Sequence, residues 1–185
     1  MLHTSHPKNI LHSSASDQWQ TPQHVLDRVH RVIGLPDFDP ASSAKANERV
    51  CARAFYTREI DGLATPWPDV RTIFLNPPGG MSGKPRKSNT VAFWAKLMDY
   101  RSNPNFEEAI FLAFSIETRQ TTQRQGIPSI GEFVCCTPAK RLVFDRPDGT
   151  PGDAPTHGNV IAYVPGSINK SDLFVRVFSD LGFTR

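Results

Sequence analysis

Three apolar residues, Ile73-Phe74-Leu75, run without alternation straight into Asn76-Pro77-Pro78-Gly79-Gly80. A strand with no polar face belongs where both faces are covered, which is the interior of a parallel α/β sheet. Two prolines in series bring no N–H donor and little freedom in φ. The strand must therefore stop near Asn76, and the turn that follows is stiff, its carbonyls free to accept from something other than the protein. Ligands of open parallel sheets gather beyond the carboxyl ends of the strands, which makes this turn the first candidate site. A plain structural turn is the alternative, because Asn-Pro is a common turn initiator.

The rest of the chain supplies partners for such a strand. Thr21 followed by Pro22 predicts a hydroxyl N-cap and a proline at the first helical position. Val25, Leu26, Val29, Val32 and Ile33 follow at helical spacing until Gly34 stops the helix. Leu35 to Pro40 reads as a short strand ending at Asp39-Pro40, and Arg71 to Leu75 as the next. A helix is predicted over Thr90–Tyr100, a third apolar strand over Ala109–Phe114 and a polar helix over Glu117–Gln125. Phe133–Thr137, Lys140–Phe144 and Val160–Val164 have strand character, with a loop rich in Asp, Gly and Pro before the last. Ser171 to Leu181 closes the chain as an amphipathic helix carrying Leu173, Phe174, Val177, Phe178 and Leu181. The expected architecture is α/β: a Rossmann-like sheet, mostly parallel with a C-terminal antiparallel hairpin, and helices on both faces.

A chain of 185 residues is the size of one domain. Residues 1–16, polar and without periodicity, are expected to form a flexible tail, and residues 17–185 a single domain. No apolar run approaches a membrane span or a secretory signal, so a cytoplasmic protein that does not engage membranes is expected. Three cysteines, two of them adjacent at Cys135-Cys136, do not make a disulfide framework or a zinc site; they read as buried thiols, the adjacent pair on opposite faces of a strand. The net charge of +3 permits a polyanionic partner without requiring one.

The chemistry that suits the Asn76 turn is the handling of an amino group, and the motif alone does not separate adenine from cytosine or the amide of glutamine. An exocyclic amino nitrogen on an aromatic ring is a weak nucleophile, because its lone pair is spread into the ring. Two acceptors on its N–H bonds favour a more tetrahedral nitrogen. The Asn76 side-chain oxygen and the Pro77 carbonyl are such a pair, acting by orientation and electrostatics without a strong base.

Several pieces in order, Trp19-Gln20-Thr21-Pro22, Phe38-Asp39-Pro40-Ala41, Phe55-Tyr56-Thr57, Asp61-Gly62-Leu63 with Trp67, and Phe74-Leu75-Asn76-Pro77-Pro78, resemble the phage-type DNA N6-adenine methyltransferases from about Trp19 to Val164. The resemblance implies methyl transfer from S-adenosylmethionine to N6 of adenine in DNA, in a phage- or prophage-encoded protein of a bacterial cell. It implies that Asn76, Pro77 and Pro78 hold the amino group. Trp19, Thr21 and Pro22, with Asp39, Pro40 and Ala41, would line the cofactor pocket, and Asp61 would bond the cofactor. Each has a structural alternative: Trp19 as core, Thr21 as helix cap, Asp61-Gly62 as a turn. No metal is implied, and the oligomeric state is not legible.

Two departures stand out. Asp39-Pro40-Ala41-Ser42-Ser43 contains no glycine, so cofactor contact must rely on small side chains. The family's aromatic residue after Pro-Pro, which stacks on a base rotated out of the duplex, is replaced by Gly79-Gly80. Phe93, Trp94 and Phe114 are the candidates for another platform, although aromatics on a helix are more often core. Lys84, Arg86 and Lys87 follow the turn and would meet DNA phosphates; a solvated loop is the alternative. The Asp145–Gly158 loop, with Arg146, Asp148 and His157, is a second candidate substrate arm. A methyltransferase scaffold that binds nucleic acid or protein without catalysis is the competing function. A dinucleotide-binding enzyme would need a G-x-G-x-x-G turn, which is missing.

Overall fold

The structure, a computed structural model, describes residues 19–82, 87–124, 126–152 and 157–185. In chain order the helices are α1 (Gln23–Ile33), α2 (Ala44–Val50), α3 (Asn89–Tyr100), α4 (Thr118–Arg124) and α5 (Ser171–Phe178). The strands are β1 (Phe38–Asp39), β2 (Ala54–Phe55), β3 (Thr72–Leu75), β4 (Met81–Ser82), β5 (Lys87–Ser88), β6 (Glu108–Ala113), β7 (Val134–Pro138), β8 (Val160–Pro165) and β9 (Gly182–Thr184). Seven strands form one sheet in the order β2-β1-β3-β6-β8-β7-β9, and β4 and β5 make a separate hairpin.

The first four strands of the sheet run parallel, and β8, β7 and β9 continue it with antiparallel pairings. Two apolar layers cover it. On one face α1 and α5 pack Val25, Leu26, Val29, Phe174 and Phe178 against Phe74, Ile110, Leu112 and Ile161. On the other, α3 packs Phe93, Trp94 and Leu97 against Ile73, Leu75, Phe111 and Ala113. The four residues of β3 and the six of β6 are all buried, as a run without alternation requires. This is the Rossmann-like sheet with helices on both faces that the strand and helix pattern predicts. Cys135 and Cys136 fall on opposite faces, one in each layer, and burial pushes their thiols up, to about 11 and about 12. Cys51 departs from the expectation, being exposed in a left-handed conformation at the end of α2.

Other differences have local causes. Lys140–Phe144 is not a strand: the free edge of β7 is taken by β9. Leu142 N donates instead to the Asn159 side chain, and Asp145 makes an isolated bridge with Gln20. Helix α1 begins without a hydroxyl cap, since its N-cap is Pro22 and Thr21 is turned to another partner. The expected tail, residues 1–16, lies outside the described residues. Glu108, buried at the amino end of β6, binds Lys170 and accepts from Tyr163 Oη at 2.8 Å. This network ties β6, β8 and the start of α5 together at the sheet edge opposite the Asn76 turn.

Candidate active site at the carboxyl edge of the sheet

Asn76 follows the last residue of β3, half-buried, with Pro77 buried behind it. Its Nδ2 donates to Thr21 Oγ1 at 3.0 Å. That bond holds the side chain against the start of α1, and with Nδ2 turned to Thr21 the Oδ1 atom faces away as an acceptor. Among the described residues no donor reaches Asn76 Oδ1 or the Pro77 carbonyl. The arrangement presents two free acceptors on a rigid turn, which is what an amino group with two N–H bonds requires. Thr21 therefore holds Asn76 rather than capping its own helix.

Past Pro78 the chain turns at Gly80 (φ +86°) into the β4–β5 hairpin and returns to α3. Asn89 secures the return, its backbone N–H donating to the Gly80 carbonyl and its Nδ2 to Gly79 O at 3.0 Å. Lys84 and Arg86 lie outside the described residues. Lys87 opens β5, opposite Ser82.

Neighbouring β1 brings the second candidate cluster to the same edge. Asp39 is 3% exposed. Its Oδ1 accepts from Ala41 N at 3.0 Å, yet burial pushes its carboxyl up to about 7, against the opposing pull of that N–H and of nearby Ser42. The Ser42 hydroxyl has no hydrogen bond of regular geometry although it is buried. The buried carboxyl and the Ser42 hydroxyl beside it form a polar cluster at the carboxyl end of β1.

The Asp61–Thr65 turn packs against the loop that follows β1. Asp61 is exposed with φ 54°, and its Oδ1 accepts from Leu63 N at 3.0 Å and Ala64 N at 3.3 Å. Gly62 lies so near the Pro40 carbonyl that a Cβ there would sit 1.9 Å from its oxygen, so only glycine lets the two loops meet. Lys96 of α3 holds the turn, donating to the carbonyls of Gly62, Leu63 and Thr65 at 2.9, 2.9 and 2.6 Å. Trp67 Nε1 adds a bond to Gly62 O at 2.8 Å. Desolvation lowers the Lys96 pKa, with Asp61 opposing it.

Trp19 is 38% exposed and is not core. Its ring lies on Gly152, where a Cβ would come within 2.5 Å of it. Gln20 exchanges backbone bonds with Asp145 at 2.8 and 3.0 Å, and Arg49 clamps the pair through Asp145 Oδ2 at 2.8 Å and Gln20 Oε1 at 3.2 Å. The structure thus joins Trp19-Gln20-Thr21-Pro22 to Asn76 on one side and to the Phe144–Gly152 loop on the other. The roles of Ser42, Lys96 and the Arg49–Asp145 clamp are not apparent in the sequence. Only the small-residue run Ala41-Ser42-Ser43 hinted at the first.

A mostly parallel Rossmann-like sheet with an Asn-Pro-Pro turn at its carboxyl edge is the architecture of a methyltransferase. The chain belongs to the DNA N-6-adenine-methyltransferase (Dam) family, whose model matches residues 8–106. That span holds every residue of the two clusters and stops at Phe106, before β6. No curated protein matches the chain. Among the described residues no helix is long and apolar enough to cross a membrane.

Proposed function

We propose that this protein transfers a methyl group from S-adenosylmethionine to N6 of adenine in DNA. The observation that carries the reading is the Asn76–Thr21 bond, which leaves Asn76 Oδ1 and the Pro77 carbonyl as a fixed pair of acceptors. An adenine amino group held by both would be oriented for attack: the N–C bond forms as the methyl–sulfur bond breaks, the neutral thioether leaves, and the proton the nitrogen then releases passes to solvent. Pro78 keeps the turn stiff, so little reorganisation accompanies the reaction.

S-adenosylmethionine supplies a methyl group activated on a sulfonium. Asp39, Pro40 and Ala41 would hold it, and the buried Asp39 carboxyl with the Ser42 hydroxyl beside it fits a polar ligand there. Trp19, Thr21 and Pro22 would form the adjoining wall. Asp61 stands at the rim with Oδ1 engaged in its own turn, so a hydrogen bond to the cofactor falls to Oδ2. Lys84, Arg86 and Lys87 would contact phosphates beside the extruded base.

The test is incubation with isotopically labelled cofactor and unmethylated plasmid DNA, followed by digestion to nucleosides. Label is expected in N6-methyldeoxyadenosine. Asn76→Ala should lower the rate by about 100-fold or more, in line with losing one preorganised polar contact to the reacting group, while folding and cofactor binding persist. Near-normal turnover by that variant would refute the assignment. A wild-type protein that binds DNA but neither cofactor nor methyl group would be a binding module.

A further inference from the structure

We propose that Phe114 supplies the aromatic face on which the target adenine stacks. The inference rests on the reading of Asn76-Pro77-Pro78 as the holder of the amino group. A base whose amino group reaches those acceptors has left the duplex stack, and its planar faces need cover. The residues directly after Pro78 offer none: Gly79 and Gly80 are exposed, and a Cβ on either would meet nothing within 4 Å.

The aromatic residues of α3 are not available. Phe93 is 5% and Trp94 0% exposed, both in the layer on the far face of the sheet. Trp94 is engaged edge-on with Phe111 and Phe133 and donates Nε1–H to Pro128 O at 2.7 Å.

Strand register brings Phe114 to the correct place. In β3, Phe74 packs on the α1 face while Ile73 and Leu75 pack on the other. The next residue, Asn76, therefore falls on the α1 face, as its bond to Thr21 requires. In parallel β6, Ile110 and Leu112 pack on the α1 face, and Phe111 and Ala113 on the other. Leu75, the last residue of β3, pairs with Phe111, and β6 ends two residues later at Ala113. Asn76 and Phe114 are thus the first residues beyond the carboxyl ends of two hydrogen-bonded neighbouring strands, and such strands lie about 4.8 Å apart. A purine whose amino edge is at Asn76 has the Phe114 ring on the adjacent strand end to meet its face.

The local surroundings hold the residue while leaving its side chain accessible. Phe114 is 38% exposed. Its carbonyl accepts from Asn159 Nδ2 at 3.2 Å, and Asn159, itself buried, accepts from Leu142 N through Oδ1 at 3.1 Å. Ile116 N donates to Gly158 O at 2.8 Å. The His157 ring lies beside the phenyl, with centroids 5.0 Å apart and planes tilted by 45°. The backbone is fixed at both sides and the ring is braced at one. Trp19, the other exposed aromatic residue on this edge, has its ring packed on Gly152.

The experiment measures kcat/KM on unmethylated plasmid DNA for wild type, Phe114→Ala, Phe114→Leu, Phe114→Tyr and Phe114→Trp, with a melting temperature for each. Base–aromatic stacking predicts that Ala and Leu lower kcat/KM about 5- to 150-fold, while Tyr and Trp stay within about twofold of wild type. Leu preserves apolar bulk without a flat face, so its failure beside the success of Tyr and Trp separates stacking from packing. Equal activity of the Leu and Trp variants, an active Ala variant, or losses that follow the melting temperature would each overturn the proposal. Wild-type protein that leaves adenine unmethylated would overturn the reading beneath it, a result distinct from any difference among the variants.

Discussion

Replacing Asp39 by Asn removes a charge from the buried end of β1 while keeping the side chain's shape and the acceptor for Ala41 N. The ordinary carboxyl value of 3.8 applies to the unfolded chain, and burial raises it to about 7 in the fold. Between those values the folded protein binds a proton that the unfolded chain has released, so stability is greatest below 3.8 and falls as pH rises towards 7. At about 1.36 kcal/mol per pH unit, the interval is worth roughly 4 kcal/mol. A domain of this kind has only about 5–15 kcal/mol in total, so the effect is large. Urea unfolding of wild type and Asp39→Asn at half-unit steps from pH 5 to 8 measures it. The Asn variant should gain on wild type by up to about 1.4 kcal/mol per pH unit between pH 5 and 7, then level off. The new amide N–H groups add a constant offset, which makes the slope the test rather than any single value. A difference that stays flat across the range, or that grows as pH falls, would refute the buried-carboxyl reasoning.

Gly62→Ala should destabilise the protein by about 3 kcal/mol, or roughly 6–12 °C in melting temperature. The new Cβ would lie 1.9 Å from a backbone oxygen that cannot yield cheaply, since Lys96 and Trp67 hold the Gly62 side of the contact; an unchanged melting curve would refute the close approach. Neutralising Lys84, Arg86 and Lys87 together should make the slope of log Kobs against log salt shallower by about 2.7 for binding to duplex DNA. A slope equal to wild type would return these residues to the solvent.

The parallel half of the fold was legible because burial on both faces leaves an unmistakable mark: Ile73–Leu75 and Ala109–Ala113 contain no polar residue inside the strand. Helix α1 was equally plain from its stripe at Val25, Leu26, Val29, Val32 and Ile33. The C-terminal edge was less so. Lys140–Phe144 has strand composition, but the position beside β7 went to Gly182–Thr184, a choice made by long-range pairing that no local pattern records. The site shows the same division. Asn76-Pro77-Pro78 and Asp39-Pro40 announced themselves by residue type at strand ends. The Lys96 brace and the approach of Gly62 to Pro40 exist only once distant segments meet.

Thr21 is where local and tertiary preference compete most directly. Its sequence context favours a hydroxyl cap on α1, an interaction worth about 1 kcal/mol. In the fold its oxygen accepts from Asn76 instead, and α1 starts at Pro22 with no side-chain cap. Helix α1 tolerates the loss because five of its side chains are buried against the sheet, so its stability comes from packing rather than from its end. The gain lies at Asn76. An unanchored amide has two near-equivalent orientations, and only one points an acceptor outward. The Thr21 hydroxyl, placed by the first turn of a well-packed helix, accepts from Nδ2 in the orientation that turns Oδ1 outward. Departures from local preference are expected at functional sites, and under the proposed function this one makes Thr21 the positioning residue for Asn76.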